Sequence, residues 1–213
     1  MFIELVDDLR CPRPHEETWL VASADRTDQR DIVEGTLGCP ICHAEYPIRA
    51  GVVWFADLQT PALRPSPTPA IDPELALRLA AFLDLSGAEG FAVLAGSWGP
   101  AAPLLRDLVP THLVVLNAAG EVATGGGVSA LQIASGIPLA DATCRGVALD
   151  VHHADAPHLS AAIRVLRPRG RLVAPAATPL PPGVAELARD DRLWVAERVA
   201  EPPQLVSIRA RGG

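Results

Sequence analysis

The sequence is poor in positive charge, in aromatic side chains and in long apolar runs. Its 18 Lys and Arg stand against 25 Asp and Glu, a formal net charge of −7, whereas a general nucleic-acid binder needs a basic face to displace counterions from phosphates. No apolar run approaches the roughly 20 residues that span a bilayer. The first residues lack the basic start of a signal peptide. These absences predict a cytoplasmic protein that is bound to no membrane and is not a general nucleic-acid binder.

What the chain does have is an aliphatic globular composition. Hydrophobic residues make up 49% of its 213 residues, charged residues 20% and aromatic residues only 4%. This balance is typical of a folded chain with a core of Ala, Val and Leu. The length fits one large domain, or one domain of ordinary size with a small one attached.

Proline divides the chain into two regions. Five prolines lie between Pro61 and Pro73. Because proline lacks an N–H and fixes φ, this segment can continue neither a helix nor a central strand. We therefore predict a small module over 1–57, a Pro-rich extended linker over 58–73 and a larger domain over 74–213.

In the larger region, short apolar runs alternate with helical patterns, which indicates an α/β fold with a parallel sheet covered on both faces. Two last strands joined by a short link predict a closing antiparallel hairpin. The predicted strands are 90–95, 112–116, 129–133, 146–150, 171–174, 193–199 and 204–209. The predicted helices begin at the N-cap Asp72 and cover about 73–85, 101–108, 156–166 and 182–189.

Three of the four cysteines lie within the first 42 residues. Cys39 and Cys42 form a CxxC knuckle, and Cys11 begins a CxxxH pair with His15. Zinc prefers four tetrahedral sulfur and nitrogen ligands, which two short pairs separated by a loop can supply. We predict a structural zinc on Cys11, His15, Cys39 and Cys42, with His43 as the alternative fourth ligand. The other interpretation is a reduced β module whose metal site has decayed.

The segments LRCPRPH and GCPICHAEYPIRAGVVWF resemble a small zinc-binding family of activator subunits of tRNA and protein methyltransferases. The resemblance covers residues 1 to about 57 and depends on the cysteine pair followed by Tyr46, Pro47, Ile48 and Gly51. The chain departs from the family at His15, where a second cysteine is common. The resemblance implies a zinc-ribbon-like module and a protein partner that binds through it by edge-strand addition.

The motifs from 91 to 209 resemble class I S-adenosylmethionine-dependent methyltransferases, most specifically in the helix, turn and strand IRVLRPRGRLV. The family's acid and glycine-rich turn after the first strand correspond here to Ala95, Ser97 and Gly99. Asn117 stands where that family carries an acid for the ribose hydroxyls. The resemblance implies a Rossmann-like, mainly parallel sheet whose residues for S-adenosylmethionine are eroded.

Polar side chains follow the predicted fourth strand. Asp150, His152, His153 and Asp155 lie where ligands dock in open α/β sheets. Asp150 or His152 is therefore a candidate general base. The alternative is a polar loop in which Asp155 caps the next helix. Trp98, inside the glycine-rich turn, either stacks on an adenine or fills the pocket.

Three functions are compatible with these features. The one we predict is a methyltransferase-like pseudoenzyme with weak or lost S-adenosylmethionine binding, acting as a scaffold or binding subunit. The first alternative is an active S-adenosylmethionine-dependent methyltransferase on a small molecule, a protein or RNA. The second is an activator subunit of a separate methyltransferase, which is less needed because the chain carries a methyltransferase-like half of its own.

Overall fold

The computed structural model describes residues 1–55, 72–118 and 122–200. Within these ranges, 11 strands form one mixed sheet. The helices are α1 (Leu5–Asp8), α2 (Pro73–Phe82), α3 (Ala102–Arg106) and α4 (Ala156–Val165), with a 3-10 helix at Gly96–Ala101. The strands are β1 (Val21–Asp28), β2 (Asp31–Gly38), β3 (Glu45–Arg49), β4 (Val52–Trp54), β5 (Phe91–Ala95), β6 (His112–Leu116), β7 (Val128–Gln132), β8 (Cys144–Ala148), β9 (Leu166–Pro175), β10 (Val184–Arg189) and β11 (Leu193–Arg198).

The strands after Phe91 form the parallel part of the sheet. β7, β6, β5, β8 and β9 lie side by side in that order, and each neighbouring pair is parallel. In chain order these are the third, second, first, fourth and fifth strands of this half, which is the doubly wound order of Rossmann-like sheets. The order reverses between β5 and β8, so their carboxyl ends form the crevice where such sheets bind ligands.

The closing hairpin lies earlier in the chain than the sequence predicts. Residues 184–189 form strand β10, so the helix predicted over 182–189 is wrong. β10 pairs antiparallel with β11, and β11 pairs antiparallel with β9. Ala, Glu and Leu favour a helix there, but Asp190 sets a turn in which its Oδ1 accepts hydrogen bonds from the N–H groups of Arg192 and Leu193. The strand predicted over 204–209 lies outside the described residues, as does most of the predicted linker.

The N-terminal strands extend the same sheet. β1 to β4 pair antiparallel in chain order, and β4 pairs parallel with β7. The last strand of the small module is therefore joined to the edge of the Rossmann-like strands by main-chain hydrogen bonds.

The N-terminal segment 1–11 also covers one face of the parallel strands. Residues 133–143, all of them described, connect β7 to β8 without a helix, whereas α3 and α4 lie in two other connections. The N-terminal segment packs in this place: Leu9 pairs with Leu139 in an isolated bridge, and the N–H of Arg10 donates to the Pro138 carbonyl. The segment thus substitutes for a crossover helix.

One hydrophobic core joins the two regions of the chain. Side chains of the N-terminal segment are fully buried in it together with side chains of β6, β7 and the end of β8. These residues include Met1, Leu5, Leu9, Val114, Leu131 and Leu149. α2 and α3 cover the opposite face, and the predicted cap of α2 is present, since the Asp72 side chain accepts the N–H of Leu75. The division into domains at 57 and 74 stays a prediction. No helix in the described ranges has the length and apolar character to cross a membrane.

Candidate functional site

Two segments of the small module bring four metal-ligating side chains together. Cys39 and Cys42 lie in the turn between β2 and β3, and Cys11 and His15 follow α1. Their ligand atoms all lie within 4.8 Å of one another. The four residues predicted from the sequence therefore form one cluster. His43 lies outside this cluster, exposed and with a φ of 55°.

Two of the distances in the cluster match those around a tetrahedral zinc ion. Zn–S bonds of about 2.3 Å and a Zn–N bond of about 2.0 Å separate two sulfurs by about 3.8 Å and a sulfur and a nitrogen by about 3.5 Å. Here Cys11 Sγ and Cys42 Sγ are 3.8 Å apart, and Cys39 Sγ and His15 Nε2 are 3.4 Å apart. His15 Nδ1 lies 2.6 Å from the Glu16 carbonyl oxygen, to which it can donate. This bond orients the ring and leaves Nε2 for a metal.

Backbone N–H groups favour the thiolate form of Cys39. The N–H of Cys42 donates to Cys39 Sγ at 3.5 Å. Burial raises the pKa of Cys39, but the N–H groups of Cys42 and Ile41, together with the side chains of Cys42 and Cys11, lower it to about 6. Burial raises the pKa of Cys11, and a bound cation reverses this effect because coordination deprotonates a thiol. The N–H groups at Cys39 therefore favour the thiolate, which is the form that binds metals.

A cleft of about 340 Å³ opens beside this cluster. Arg10, Cys11 and His15 line it from the small module, and Ile137, Pro138 and Arg164 line it from the larger region. The cleft therefore brings solvent to one side of the metal-ligating residues.

At the other candidate site, Asp150 follows β8 and lies over the turn that follows β5. Its Oδ2 accepts a hydrogen bond from the backbone N–H of Ser97 at 2.8 Å. Its Oδ1 accepts the N–H groups of His152 and His153 at 3.1 Å each, and His153 Nδ1 lies 2.7 Å from the same oxygen. A Cβ on Gly96, whose φ is +59°, would lie 2.1 Å from Oδ2, so only glycine permits this close approach.

These contacts make Asp150 a weak base. The residue is buried, with 6% of its surface exposed. Burial raises the pKa of a carboxyl, but hydrogen bonds from the His153 side chain and the Ser97 N–H outweigh it and lower the pKa of Asp150 to about 2. A general base works best with a pKa near the operating pH. His152, the other candidate base, is exposed in the turn that follows β8. A catalytic role for either residue stays a prediction.

Asn117 ties the ends of β6 and β7 to the same network. Its Oδ1 accepts the N–H of Ile133 at 2.8 Å and its Nδ2 donates to the Ile133 carbonyl at 3.1 Å. Nδ2 also lies 3.2 Å from His153 Nε2. Since His153 Nδ1 donates to Asp150, Nε2 is the acceptor from Asn117. One chain of hydrogen bonds therefore connects the carboxyl ends of β5, β6, β7 and β8.

Trp98 lies in the turn beside this network. Its Nε1–H donates to the Leu149 carbonyl at 3.2 Å, so the indole extends from the end of β5 to the end of β8. Ala95 is fully buried, and a Cβ on Gly99 would lie 2.9 Å from Val115 Cγ1. The predicted cofactor residues Ala95, Ser97, Gly99 and Asn117 thus lie at one edge of the sheet, where each packs on or bonds to its own chain.

His153 is among the candidate groups after the fourth strand but is not assigned as the general base, and the structure places it at the centre of the network. The available signal was an Asp and a His three residues apart directly after a buried strand. The same spacing recurs at the next helix, where Asp155 accepts the N–H of His158 as its N-cap. The cap predicted for Asp155 is therefore present.

The Asp150 contacts predict a loss of stability in acid. The pKa of Asp150 in the folded chain is about 2, below the ordinary 3.8. The contribution of these contacts to the free energy of unfolding is therefore complete above about pH 4 and is lost as the pH falls toward 2. This difference of nearly two pKa units corresponds to about 2.5 kcal/mol. Urea unfolding of wild type and Asp150→Asn between about pH 6 and pH 2 measures this contribution. The variant should lack it, and an equal acid dependence in both proteins contradicts the assignment.

No protein-family model matches this chain, and no curated protein matches it. Among solved structures, the antibiotic-resistance methyltransferase Kmr is similar, at 16% identity and a TM-score of 0.42 over 59% of this chain and 93% of that chain. Geranyl diphosphate methyltransferase in complex with SAM is 14% identical, with a TM-score of 0.39 over 48% of each chain. A chain from the complex of the Haloferax volcanii Trm112 methyltransferase activator with a methyltransferase is 20% identical, with a TM-score of 0.37 over 45% of this chain and 50% of that chain. Since these TM-scores lie below 0.5, the strand order itself is the evidence for the Rossmann-like fold.

Proposed function

We propose that this chain is a methyltransferase-fold protein that binds S-adenosylmethionine weakly or not at all and serves as a scaffold or binding subunit, with a structural zinc in its N-terminal module. The observation that supports this most is the hydrogen bond from the Ser97 N–H to Asp150 at 2.8 Å. In a Rossmann-like sheet, the turn after the first strand offers its backbone N–H groups to the ligand. Here an internal carboxylate takes that place.

The hydrogen bond between Ser97 and Asp150 is favoured over a hydrogen bond from Ser97 to a ligand. A ligand that binds to Ser97 must displace a buried carboxylate and leave its other donors, among them His153 Nδ1, poorly paired. Each buried polar group left without a partner costs about 1–3 kcal/mol, and more if it is charged; here the Asp150 carboxylate and several of its donors are affected. One charge-assisted hydrogen bond to the ligand recovers only about 1.5–3 kcal/mol.

Asn117, the residue predicted to bind the ribose, also has its hydrogen bonds taken by the protein itself. The amide of Asn117 is bonded at both ends to the backbone of Ile133. To receive a ribose hydroxyl, Asn117 must break a contact that holds the ends of β6 and β7 together. Both predicted anchoring points for the cofactor therefore have internal partners.

The small module has a different role in this proposal. With zinc on Cys11, His15, Cys39 and Cys42 all four tetrahedral positions are taken by protein, so the ion supplies stability and no chemistry on a substrate. Its strand β4 already pairs with β7 of the same chain, which supports a scaffold over an activator of a separate methyltransferase. A protein partner of this module would meet its outermost strand, β1.

A calorimetric titration of the zinc-loaded chain with S-adenosylhomocysteine tests the proposal. We expect a Kd weaker than about 1 mM, equivalent to less than about 4 kcal/mol of binding free energy. A Kd in the micromolar range would overturn the proposal and favour an active methyltransferase.

Replacing Trp98 by glycine is expected to increase the affinity for S-adenosylhomocysteine at least ten-fold. The indole bonds to the Leu149 carbonyl and so connects the ends of β5 and β8, where its removal is expected to open space. Trp19→Gly is the matched control, because Trp19 is 63% exposed on the small module and its loss leaves the crevice unchanged. The same calorimetric titration measures both variants, after circular dichroism has shown that they fold. Equal affinities for the two variants would mean that the indole does not close the crevice.

A further inference from the structure

We propose that Cys11 and Cys42 form an oxidation site for hydroperoxides, at which the two thiolates become a disulfide and the metal ion is expelled. The proposal depends on the zinc centre proposed above and adds to it a specific pair of reacting sulfurs. It also adds a class of oxidant that the cluster would respond to.

The distance between Cys11 and Cys42 is short enough for a disulfide to form. Cys11 Sγ and Cys42 Sγ lie 3.8 Å apart, and a disulfide requires about 2.05 Å. Each sulfur therefore has to move by about 1 Å once no ion separates the two. Cys39 is 3% exposed, so a peroxide reaches its sulfur less readily.

Access favours the same pair. Cys11 and Cys42 are half-buried, whereas Cys39 and Cys144 are buried. Cys11 also lines the cleft of about 340 Å³, which has room for hydrogen peroxide and small organic hydroperoxides. Burial raises the pKa of Cys144 to about 12, so this thiol is an internal control that should stay reduced.

The reaction balances with peroxide as the only oxidant. One thiolate attacks the O–O bond, which breaks, and forms a sulfenic acid while hydroxide leaves. The second thiolate attacks that sulfur, the S–S bond forms and a second hydroxide leaves. Two electrons pass from the sulfurs to the peroxide, and two protons from solvent convert the hydroxides to water. Zinc loses two of its four ligands and dissociates.

The position of the disulfide is expected to stabilise the oxidised chain after the metal has left. Cys11 follows Leu9 and Arg10, which contact the connection between β7 and β8. The bond to Cys42 keeps this segment attached to the turn between β2 and β3 after the metal has gone. Oxidised, metal-free protein should therefore melt at a higher temperature than reduced protein from which the metal has been removed by a chelator.

The experiment treats the zinc-loaded full chain with equimolar hydrogen peroxide, measures released zinc with a chromogenic chelator and maps disulfides by mass spectrometry after alkylation. We expect zinc release in proportion to peroxide consumed and a Cys11–Cys42 peptide, with Cys144→Ala behaving as wild type. Cys42→Ser should lose the linked peptide. Because that variant can also lose zinc, the peptide map of the wild type is the deciding result.

Three results would overturn the proposal: a Cys39–Cys42 link as the main product, oxidation to sulfinic acid without a disulfide, or zinc that stays bound at equimolar peroxide. Zinc analysis before oxidation separates this proposal from the one it depends on. A chain that takes up no zinc refutes the metal centre, and the disulfide map of that chain still tests which sulfurs pair.

Discussion

Removing the metal with a chelator, or replacing Cys39 by serine, is expected to destabilise the whole chain and not the small module alone. The cluster joins the segment after α1 to the turn between β2 and β3. The N-terminal segment that it holds is part of the core shared with β6, β7 and β8. Structural zinc contributes about 10–16 kcal/mol in small peptides that fold only with metal. Here, where a core exists already, we expect a loss of at least about 4 kcal/mol, or roughly 10 °C in Tm.

Thermal unfolding followed by circular dichroism, with zinc content measured alongside, checks this prediction. His15→Asn and His43→Asn are a matched pair, since both remove an imidazole and asparagine tolerates the positive φ of residue 43. Only the His15 variant should lose zinc and stability. If the main thermal unfolding transition is unchanged after complete metal removal, the zinc cluster does not stabilise the rest of the sheet.

Replacing Asp150 by alanine is expected to lower the free energy of unfolding by about 3 kcal/mol or more, because each buried donor left without an acceptor costs about 1–3 kcal/mol. The change removes the acceptor for Ser97, for two N–H groups of the following turn and for His153 Nδ1. The chain of hydrogen bonds to Asn117 then loses its anchor.

Asp155→Ala is the matched control for this variant. Asp155 also precedes a histidine by three residues and accepts the N–H of His158, but it is an exposed N-cap. Loss of such a cap costs about 1 kcal/mol. Urea unfolding of both variants compares the two effects directly. Equal losses would show that the buried network contributes no more than an ordinary cap.

The sequence predicted the parallel strands and the metal cluster because local signals specify both. Phe91–Ala95 is an apolar run that is buried at every position, and the two pairs of metal ligands have spacings that zinc chemistry requires. The contacts that define the crevice join residues that are far apart in the sequence. Ser97 and Asp150 are separated by 53 positions, and no local pattern states that one will accept a hydrogen bond from the other.

Two further features depended on tertiary context. Val184–Arg189 has the composition of a helix and is a strand because β11 pairs with it. Leu5 and Leu9 belong to a short helix and its end, whose sequence does not show that it would cover the Rossmann-like sheet in place of a crossover helix. In both cases the partner segment, rather than the local sequence, determines the structure.

A crystal structure of the zinc-loaded chain grown with excess S-adenosylhomocysteine tests most directly whether the chain fills its own crevice. We expect that Asp150 still accepts the Ser97 N–H, that the Trp98 indole still bonds to Leu149, and that no ligand lies between β5 and β8. Electron density for the ligand in that crevice, with the indole turned away and Asp150 withdrawn from Ser97, would contradict this expectation.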